Sequence, residues 1–368
     1  MKKSLLLALL VAVCAPSIVS SAEPRVLLVG IWPNRMQFLD EESLEVVSEF
    51  PLRHGAVVWD SAGYSRTAHT PDFSRLYFIT GTMETLEIVD VARHEVVDEV
   101  KLSTPERKVR FMGAAPMPDG KRLYLTVRNT DVRQDRFFHD RMKDIAVFNL
   151  ETREVEESFP LADLIGAGEL PGLWVAPDGN SLFAPGKDIF EISRETHDVV
   201  GTIAVKNAGM AGYGPRSAAL WFETEPGVYR AAYFTRDPVM ERSTMGMFRF
   251  DVRTRRLTSF EMGPAMNLSQ VALSPDGKRA YIGGNDLVVV DMETHRILAR
   301  REGFERGRAN TGWIVSADGT KLYVGGVGDR IKIYDGSSLE LLEEKVLAGD
   351  SMFAPIPLPR SLIEGTSQ

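Results

Sequence analysis

The stretch PMPDGKRLYL at 116–125 decides the fold, because it returns almost letter for letter as LSPDGKRAYI at 273–282. In both copies a Pro-Asp-Gly turn precedes a run that contains Tyr and alternates in polarity. Asp-Gly favours a tight hairpin because Gly accepts a positive φ at little steric cost. The stretch therefore predicts a β-hairpin that the chain uses more than once.

Turns of the same type recur along the chain. Their acidic residues are Asp72, Asp119, Asp178, Asp276 and Asp318. Their successive spacings of 47, 59, 98 and 42 residues leave room for one more unit in the long gap. ALWFETEPGVYRAAYFT at 219–235 fills that gap with two strands around a Glu-Pro-Gly turn. A second recurring residue, Asp or Asn, ends the third strand of a unit. Its side chain is expected to accept a hydrogen bond from the backbone of the following turn. These residues are Asp90, Asn149, Asp251, Asp291 and Asp335.

Units of 42 to 59 residues with four strands are typical of β-propeller blades. The pattern gives six complete blades. RVLLVGI, MQFLD and LEVVSEF near the N-terminus predict three strands of a seventh, and SMFAPIPL near the C-terminus predicts the fourth. The sequence therefore predicts an all-β, seven-bladed β-propeller of four-stranded antiparallel blades over 23–360, closed by N- and C-terminal strands, with 361–368 as a C-terminal tail. A six-bladed ring with loose ends and a two-sheet sandwich are the alternatives.

Residues 1–22 have two lysines, an apolar run from Leu5 to Val13 and an end of small residues. This pattern is typical of a secretory signal peptide, and we expect cleavage before Glu23 and export to the periplasm. Cys14 leaves a lipoprotein open as an alternative, although Val13 fits a lipidation site poorly. No second apolar segment is long enough to predict a membrane helix.

Cleavage after residue 22 would remove Lys2, Lys3 and Cys14. The mature chain would keep 41 basic and 51 acidic residues, a net charge near −10 with His neutral, and no cysteine. An acidic chain argues against nucleic-acid binding, which requires clustered Lys and Arg. The missing cysteine excludes a disulfide, a thiolate nucleophile and a cysteine metal site from the mature chain.

Two segments interrupt the repeat between the second and third strands of a blade. They are NTDVRQDRFFHDRMK at 129–143 and RDPVMERSTM at 236–245, whereas the blade with Asp276 needs only 283–286. In a propeller both connections emerge on the same face, and long loops on a rigid scaffold often bind partners. A solvated charged loop is the alternative interpretation.

We expect the partner or pocket surface on this face to include the insertions and residues just before inner strands. The candidates are Arg110, Phe111, Arg136, Phe137, Phe138, His139, Met240, Asn310 and Trp313. Phe, Met and Arg are enriched at the cores of interfaces. A tryptophan at the start of an inner strand, such as Trp174 or Trp313, is more often part of the core.

The sequence selects no catalytic residue. The six histidines form no HExxH or other metal spacing, so no metal site is expected, and His94, His197 and His295 are interpreted as surface residues at turns. There is no CxxCH for haem attachment and no GxSxG. GGVGDR at 325–330 is a turn between strands, because no helix follows it to bind phosphate.

Three further segments support a family resemblance. They are KLSTPERKVRFMGAAPMPDGKRLYL at 101–125, YFTRDPVMERSTMGMFRFDVRTRRL at 233–257 and GDSMFAPIPLPR at 349–360. Together with the two insertions they resemble the β subunit of quinohemoprotein amine dehydrogenase, in order, over about 25–360. The PDGK turns alone are shared with many YVTN-type propellers, whereas LSTPE followed by GAA is more specific.

The resemblance implies a periplasmic complex of three chains that oxidises primary amines to aldehydes. In that family the β subunit is a seven-bladed propeller, a small subunit carries a cysteine tryptophylquinone, and a larger subunit carries two c-type haems. This chain would hold the quinone subunit and help to enclose the amine pocket, with no covalently bound cofactor of its own. A stand-alone propeller hydrolase, such as a lactonase working in the central channel, and a noncatalytic binding propeller of the cell envelope are the alternatives.

Overall fold

The computed structural model describes residues 23–55, 67–133, 137–160, 172–206, 214–237, 239, 241–266, 268–284, 286–304, 312–326, 328–351 and 353–364. Within these ranges the chain forms 28 strands and one helical turn, α1 (Ser361–Glu364). The strands form antiparallel, four-stranded blades of a seven-bladed β-propeller, which confirms the predicted fold class.

The blades are numbered in chain order, and strands within a blade run from the channel outward. Blade 1 begins with β1 (Arg25–Ile31), β2 (Arg35–Asp40) and β3 (Val46–Pro51). Blade 2 contains β4 (Thr67–His69), β5 (Arg75–Thr80), β6 (Thr85–Asp90) and β7 (Glu95–Lys101). Blade 3 contains β8 (Arg107–Pro116), β9 (Arg122–Val132), β10 (Phe137–Asn149) and β11 (Val155–Pro160). Blade 4 contains β12 (Trp174–Val175), β13 (Ser181–Pro185), β14 (Ile189–Ser193) and β15 (Val199–Ile203).

The remaining blades follow the same order. Blade 5 contains β16 (Ser217–Glu225), β17 (Val228–Arg236), β18 (Ser243–Asp251) and β19 (Arg256–Pro264). Blade 6 contains β20 (Leu268–Leu273), β21 (Arg279–Gly284), β22 (Leu287–Asp291) and β23 (Ile297–Arg301). Blade 7 contains β24 (Gly312–Val315), β25 (Lys321–Gly325), β26 (Gly328–Asp335) and β27 (Leu341–Ser351). β28 (Ile356–Pro359) completes blade 1.

The two ends of the chain close the ring in blade 1. β28 pairs with β1 from Arg25↔Pro359 to Leu28↔Ile356, as predicted. Leu358 on β28 is fully buried in the cluster that fills the gap between blades 1 and 2. A single further pair, Ile31↔Ser351, joins β1 to β27 and so links blades 1 and 7.

The turns form as the repeated residues predict. In the first–second turns of blades 3 to 7 the Gly has a φ between 67° and 76°, and in blade 2 Phe73 takes that place with a φ of 57°. In the third–fourth turn of blade 6, Asp291 Oδ1 accepts hydrogen bonds from Glu293 N and Thr294 N at 3.0 and 2.6 Å. The same kind of bond forms at Asp90, Asn149, Asp251 and Asp335.

Every third–fourth turn also holds one residue in the left-handed region, with φ between 53° and 66°. These residues are Leu44, His94, Arg153, His197, Arg255, His295 and Leu339. His197 stacks on Phe159 of blade 3 at 4.0 Å, and His295 stacks on Phe260 of blade 5 at 3.9 Å. This position therefore reaches back to the preceding blade and helps to fix the spacing of the ring.

The interpretation of His94 and His197 as surface residues is corrected by these contacts. His94 Nδ1 lies 2.7 Å from Ser48 Oγ, and its ring packs 4.8 Å from that of Phe38 in blade 1. Only 12% of the His197 side chain is exposed. His295 has the same left-handed backbone and remains exposed, as the sequence predicts, so the side-chain contacts with blades 1 and 3 account for the cover of His94 and His197.

The ring has two faces that carry different connections. A link such as 102–106 or 265–267 joins the end of an outer strand to the start of the next inner strand. In antiparallel blades the second–third connections lie at that same end. We call this side the link face, and we call the opposite side, which carries the first–second and third–fourth turns, the turn face. Both sequence insertions are second–third connections, so both lie on the link face.

Candidate functional site

Blade 3 has strands that continue beyond the common length of the blades. β11 pairs with β10 only between Asp144↔Pro160 and Phe148↔Val155. Beyond Asp144, β8, β9 and β10 remain paired as far as Arg107↔Asp131 and Phe137↔Val132. We call residues 107–111, 128–133 and 137–143 the ribbon. At about 3.3 Å a residue, the five residues 107–111 span roughly 16 Å along the strand.

The first insertion is therefore a hairpin and not the loop that the sequence predicts. Only 133–136 connects β9 to β10, with a register shift between His139 and Lys143. An exposed excursion that pairs with itself satisfies its own backbone donors and acceptors, which a long irregular loop does not. The second insertion behaves in the same way, since β17 and β18 pair as far as Arg236↔Ser243.

The base of the ribbon is held by several contacts to neighbouring elements. Phe111 N donates to Met83 O in the second–third turn of blade 2 at 2.7 Å. On the same turn, Glu84 Oε2 lies 3.2 Å from Lys108 Nζ. Within the blade, Asn129 Nδ2 donates to Asp144 Oδ2 at 2.9 Å. These contacts make the ribbon a continuation of the rigid scaffold.

Two of the predicted surface residues lie in the core, which corrects that part of the prediction. Phe111 is fully buried between blades 2 and 3. Trp313 is 1% exposed and donates from Nε1 to Tyr281 O at 3.3 Å, so the core interpretation holds for it. Phe111 lies on β8 and Trp313 on β24, the inner strands of blades 3 and 7. Successive side chains on a strand point to opposite sides of the sheet, and only the structure shows which side a neighbouring blade covers.

The other candidates divide between the ribbon and the rest of the chain. Arg110 is exposed on β8. The backbones of Phe137, Phe138 and His139 lie on β10 in the ribbon, while their side chains lie outside the described part of the structure. Arg136, Met240 and Asn310 lie outside the described residues.

The channel holds a second group that sequence reasoning missed. His69 ends the inner strand of blade 2, and Glu223 lies on the inner strand of blade 5, almost opposite in the ring. Their Nε2 and Oε2 atoms are 4.0 Å apart, with 30% and 33% of the side chains exposed. The two groups therefore meet across the channel near the turn face. Both residues lie two or three positions before the Pro of a first–second turn. An alignment of the repeats would therefore have placed both near the turn-face end of an inner strand.

The surroundings of this pair define its chemistry. His69 Nδ1 lies 2.9 Å from Thr70 O, so Nδ1 donates this hydrogen bond and Nε2 is the ring nitrogen that faces Glu223. Glu223 Oε1 accepts from Gly227 N at 2.8 Å. Burial, followed by the charge and hydrogen bond of Glu223, raises the pKa of Tyr229 well above its ordinary value. Trp174 stacks on the Tyr229 ring at 4.0 Å.

Two further searches of the structure concern metals and membranes. Among the described residues, no group of three or more His, Cys, Asp and Glu side chains is placed to hold a metal ion. Across the same ranges no helix has the length and apolar character that crossing a membrane requires.

Comparison with known proteins supports the fold. No protein-family model matches the sequence, and no curated protein is significantly similar to it. Among solved structures, dihydro-heme d1 dehydrogenase NirN in complex with DHE is 14% identical, with a TM-score of 0.51 over 92% of this chain and 76% of that one. Hydrazine synthase of Kuenenia stuttgartiensis is 17% identical, with a TM-score of 0.51 over 83% of this chain and 92% of that one. Apo AztD of Citrobacter koseri is 9% identical, with a TM-score of 0.52 over 91% and 99% of the two chains.

Proposed function

We propose that this chain is the noncatalytic propeller subunit of an exported, periplasmic amine dehydrogenase assembly that oxidises primary amines to aldehydes. Its role is to hold a small quinone-bearing subunit on the link face and to help exclude water from the amine pocket. The observation that carries the proposal is the ribbon, the braced continuation of β8, β9 and β10 beyond the end of their pairing with β11.

Residues 23–368 cannot hold the redox groups covalently, which supports placing these groups in partner subunits. A cysteine tryptophylquinone requires a cysteine, and a c-type haem requires two; residues 23–368 contain none. The quinone and the haems are therefore assigned to a small subunit and to a dihaem cytochrome c. In such an assembly a rigid propeller contributes positioning and exclusion of water rather than redox chemistry.

The ribbon also suits docking because none of the described strands pairs with its outer edge. β10 loses its pairing with β11 beyond Asp144, so the backbone of 137–143 has β9 on one side only among the described strands. An exposed strand edge is a ready site for pairing with another chain. Phe137 and Phe138 lie on this edge strand, and aromatic residues are common anchors of interfaces.

The proposal is tested by purifying the tagged full chain from its organism of origin. We expect a cysteine-containing, quinone-staining small protein and a dihaem cytochrome to copurify, with dye reduction that depends on added primary amine. The isolated chain should show no such reduction. A stable monomer that carries no redox partner in its own organism would refute the proposal.

Hydrolysis in the channel is a second candidate function, favoured by the meeting of His69 and Glu223. His69 Nε2 could act as a general base for water, with Nδ1 oriented by Thr70 O. The discriminating experiment measures lactone hydrolysis by the purified single chain and by its His69→Gln and Glu223→Gln variants. Hydrolysis that both substitutions abolish would favour this function over the first.

A further inference from the structure

The ribbon contains two like charges at directly opposed positions. Arg110 on β8 pairs with Arg128 on β9, so both side chains leave the same side of the sheet with Cβ atoms about 5 Å apart. Val109 and Phe111, which flank Arg110, are buried on the other side. The two guanidinium groups therefore project away from the core between blades 2 and 3.

The neighbouring cations of the ribbon have partners, whereas these two do not. Arg107 Nε lies 3.8 Å from Asp131 Oδ1, and Lys108 Nζ lies 3.2 Å from Glu84 Oε2. In the described part of the chain, neither Arg110 nor Arg128 forms a side-chain hydrogen bond or an ion pair. Like charges directly opposed across strands are destabilising, so the arrangement costs stability unless an anion joins it.

The local charge also differs from that of the whole chain. The ribbon and its connection, 107–111 and 128–143, contain eight Lys and Arg against three Asp. Residues 23–368 as a whole, by contrast, contain 41 basic and 51 acidic residues. An acidic partner is therefore repelled by most of this protein and attracted to the ribbon, which favours one docking orientation.

We propose that Arg110 and Arg128 form a carboxylate-binding pair that takes an acidic segment of the partner protein. The inference rests on the proposed function, because the partner is the chain that docks on the ribbon. Each guanidinium offers a planar fork that binds a carboxylate through two hydrogen bonds, and two such side chains with Cβ atoms about 5 Å apart suit two carboxylates of one segment.

The pair is tested with a fluorescein-labelled hexaglutamate peptide and fluorescence anisotropy at low salt. We expect the full chain to bind the peptide, and the Arg110→Gln/Arg128→Gln variant to bind it at least tenfold more weakly. The Arg110→Lys/Arg128→Lys variant keeps the charge without the forks, so its affinity should fall between the two. Arg256→Gln removes an exposed arginine from the turn face and should leave binding unchanged. Thermal melting of each variant checks its folding.

Inorganic phosphate and vesicles containing phosphatidylglycerol serve as competing probes. Peptide binding that is unaltered by the Gln substitutions would overturn the proposal. It would equally be overturned if phosphate or vesicles bound as tightly as the peptide through the same two arginines, since the pair would then be a general anion site.

Copurification separates this inference from the proposed function. If the redox partners copurify with the wild type and equally with the Gln variant, the arginine pair is not their docking contact and the proposed function stands. If no partner copurifies with the wild type while hexaglutamate still requires the pair, the proposed function fails and the carboxylate site stands.

Discussion

Blades 3 and 6 begin from nearly the same sequence and end in different structures. In blade 6, β21 ends at Gly284 and β22 begins at Leu287, so the second–third connection is very short. In blade 3, β9 and β10 have 11 and 13 residues, against 6 and 5 for their counterparts in blade 6. The extra length is the ribbon.

The sequence that blades 3 and 6 share contains the residues that pack between neighbouring blades. Tyr124 and Tyr281 occupy equivalent positions on the second strand, and each is at most 2% exposed. Tyr281 Oη donates to Gly336 O in the next blade at 2.9 Å, and burial raises the pKa of both tyrosines. The comparison teaches that the repeat serves packing between blades, while departures from it mark where this chain differs from a plain ring.

The largest expected effect comes from Phe111, the fully buried residue at the base of the ribbon. Phe111→Ala should lower the free energy of unfolding by about 3–5 kcal/mol, because it empties a fully buried position between blades 2 and 3. Urea denaturation measures the loss. Arg110→Ala, one residue away and exposed, is the matched control and should change stability by about 1 kcal/mol or less. Similar losses of stability for the two variants would contradict the assignment of Phe111 to the core and of Arg110 to the surface.

The short connection of blade 6 gives the next effect. A Cβ at Gly283 would lie 2.5 Å from Asp286 O and 2.9 Å from Leu287 Cδ1, so Gly283→Ala should cost about 1–3 kcal/mol. Gly55→Ala is the control, because a Cβ there meets nothing within 4 Å. Thermal unfolding of both variants makes the measurement. An unchanged melting temperature for Gly283→Ala would mean that blade 6 could accept a longer connection.

Shortening the ribbon should separate stability from binding. Arg128 and Lys143 are paired, so an Asn-Gly turn in place of 129–142 would close a short hairpin like that of blade 6. We expect the unfolding free energy to fall by roughly 1–3 kcal/mol, because the buried Asn129 and its hydrogen bond to Asp144 are removed. The yield of copurified redox partner should fall at least tenfold. Partner yield equal to that of the wild type would place the contact elsewhere.

A smaller effect should come from the opposed arginines alone. Replacing Arg110 by Gln should stabilise the chain by about 0.2–1 kcal/mol at low salt, because a like-charged cross-strand pair is removed. The gain should vanish near 1 M salt, where the Debye length is about 3 Å. Urea midpoints at the two salt concentrations give the comparison, and a loss of stability at low salt would contradict the assignment of these residues as unpaired.

The turn face should show a pH dependence that the ribbon does not. Burial lowers the pKa of His94 below its model-peptide value of 6.5, against an opposing effect of Asp90. The folded state thus prefers the neutral ring, and its contribution is fully present above pH 6.5 and is lost as the pH falls through the lowered pKa. His94→Asn tolerates the positive φ and should lose less stability than the wild type between pH 7.5 and 5.5 in urea titrations. Equal losses would show that His94 does not carry the dependence.

The fold could be predicted from the sequence because its decisive residues act locally. A Gly at positive φ recurs in the first–second turns of blades 3 to 7, and an Asp or Asn that bonds its own turn recurs in blades 2, 3, 5, 6 and 7. Ring closure follows from counting strands at the two ends. Burial at Phe111 and Trp313 could not be predicted, because it depends on which side of an inner strand the neighbouring blade covers.

The candidate site could be predicted only in part. The insertion at 129–143 indicated the right place, but its residues did not reveal that they would pair as strands. His69 and Glu223 lie far apart in the sequence and meet only because the ring places blades 2 and 5 across one channel. Neither forms a motif, so chain order alone gave no reason to join them.

The central claim is that a partner binds the link face at the ribbon. Amide hydrogen exchange measured on the free chain and on the assembly purified from the organism of origin tests it most directly. We predict slower exchange at 128–132 and 137–143 in the assembly, with unchanged exchange at the first–second turns around Asp276 and Asp318 on the turn face. Protection confined to the turn face, with the ribbon exchanging as it does in the free chain, would contradict the account.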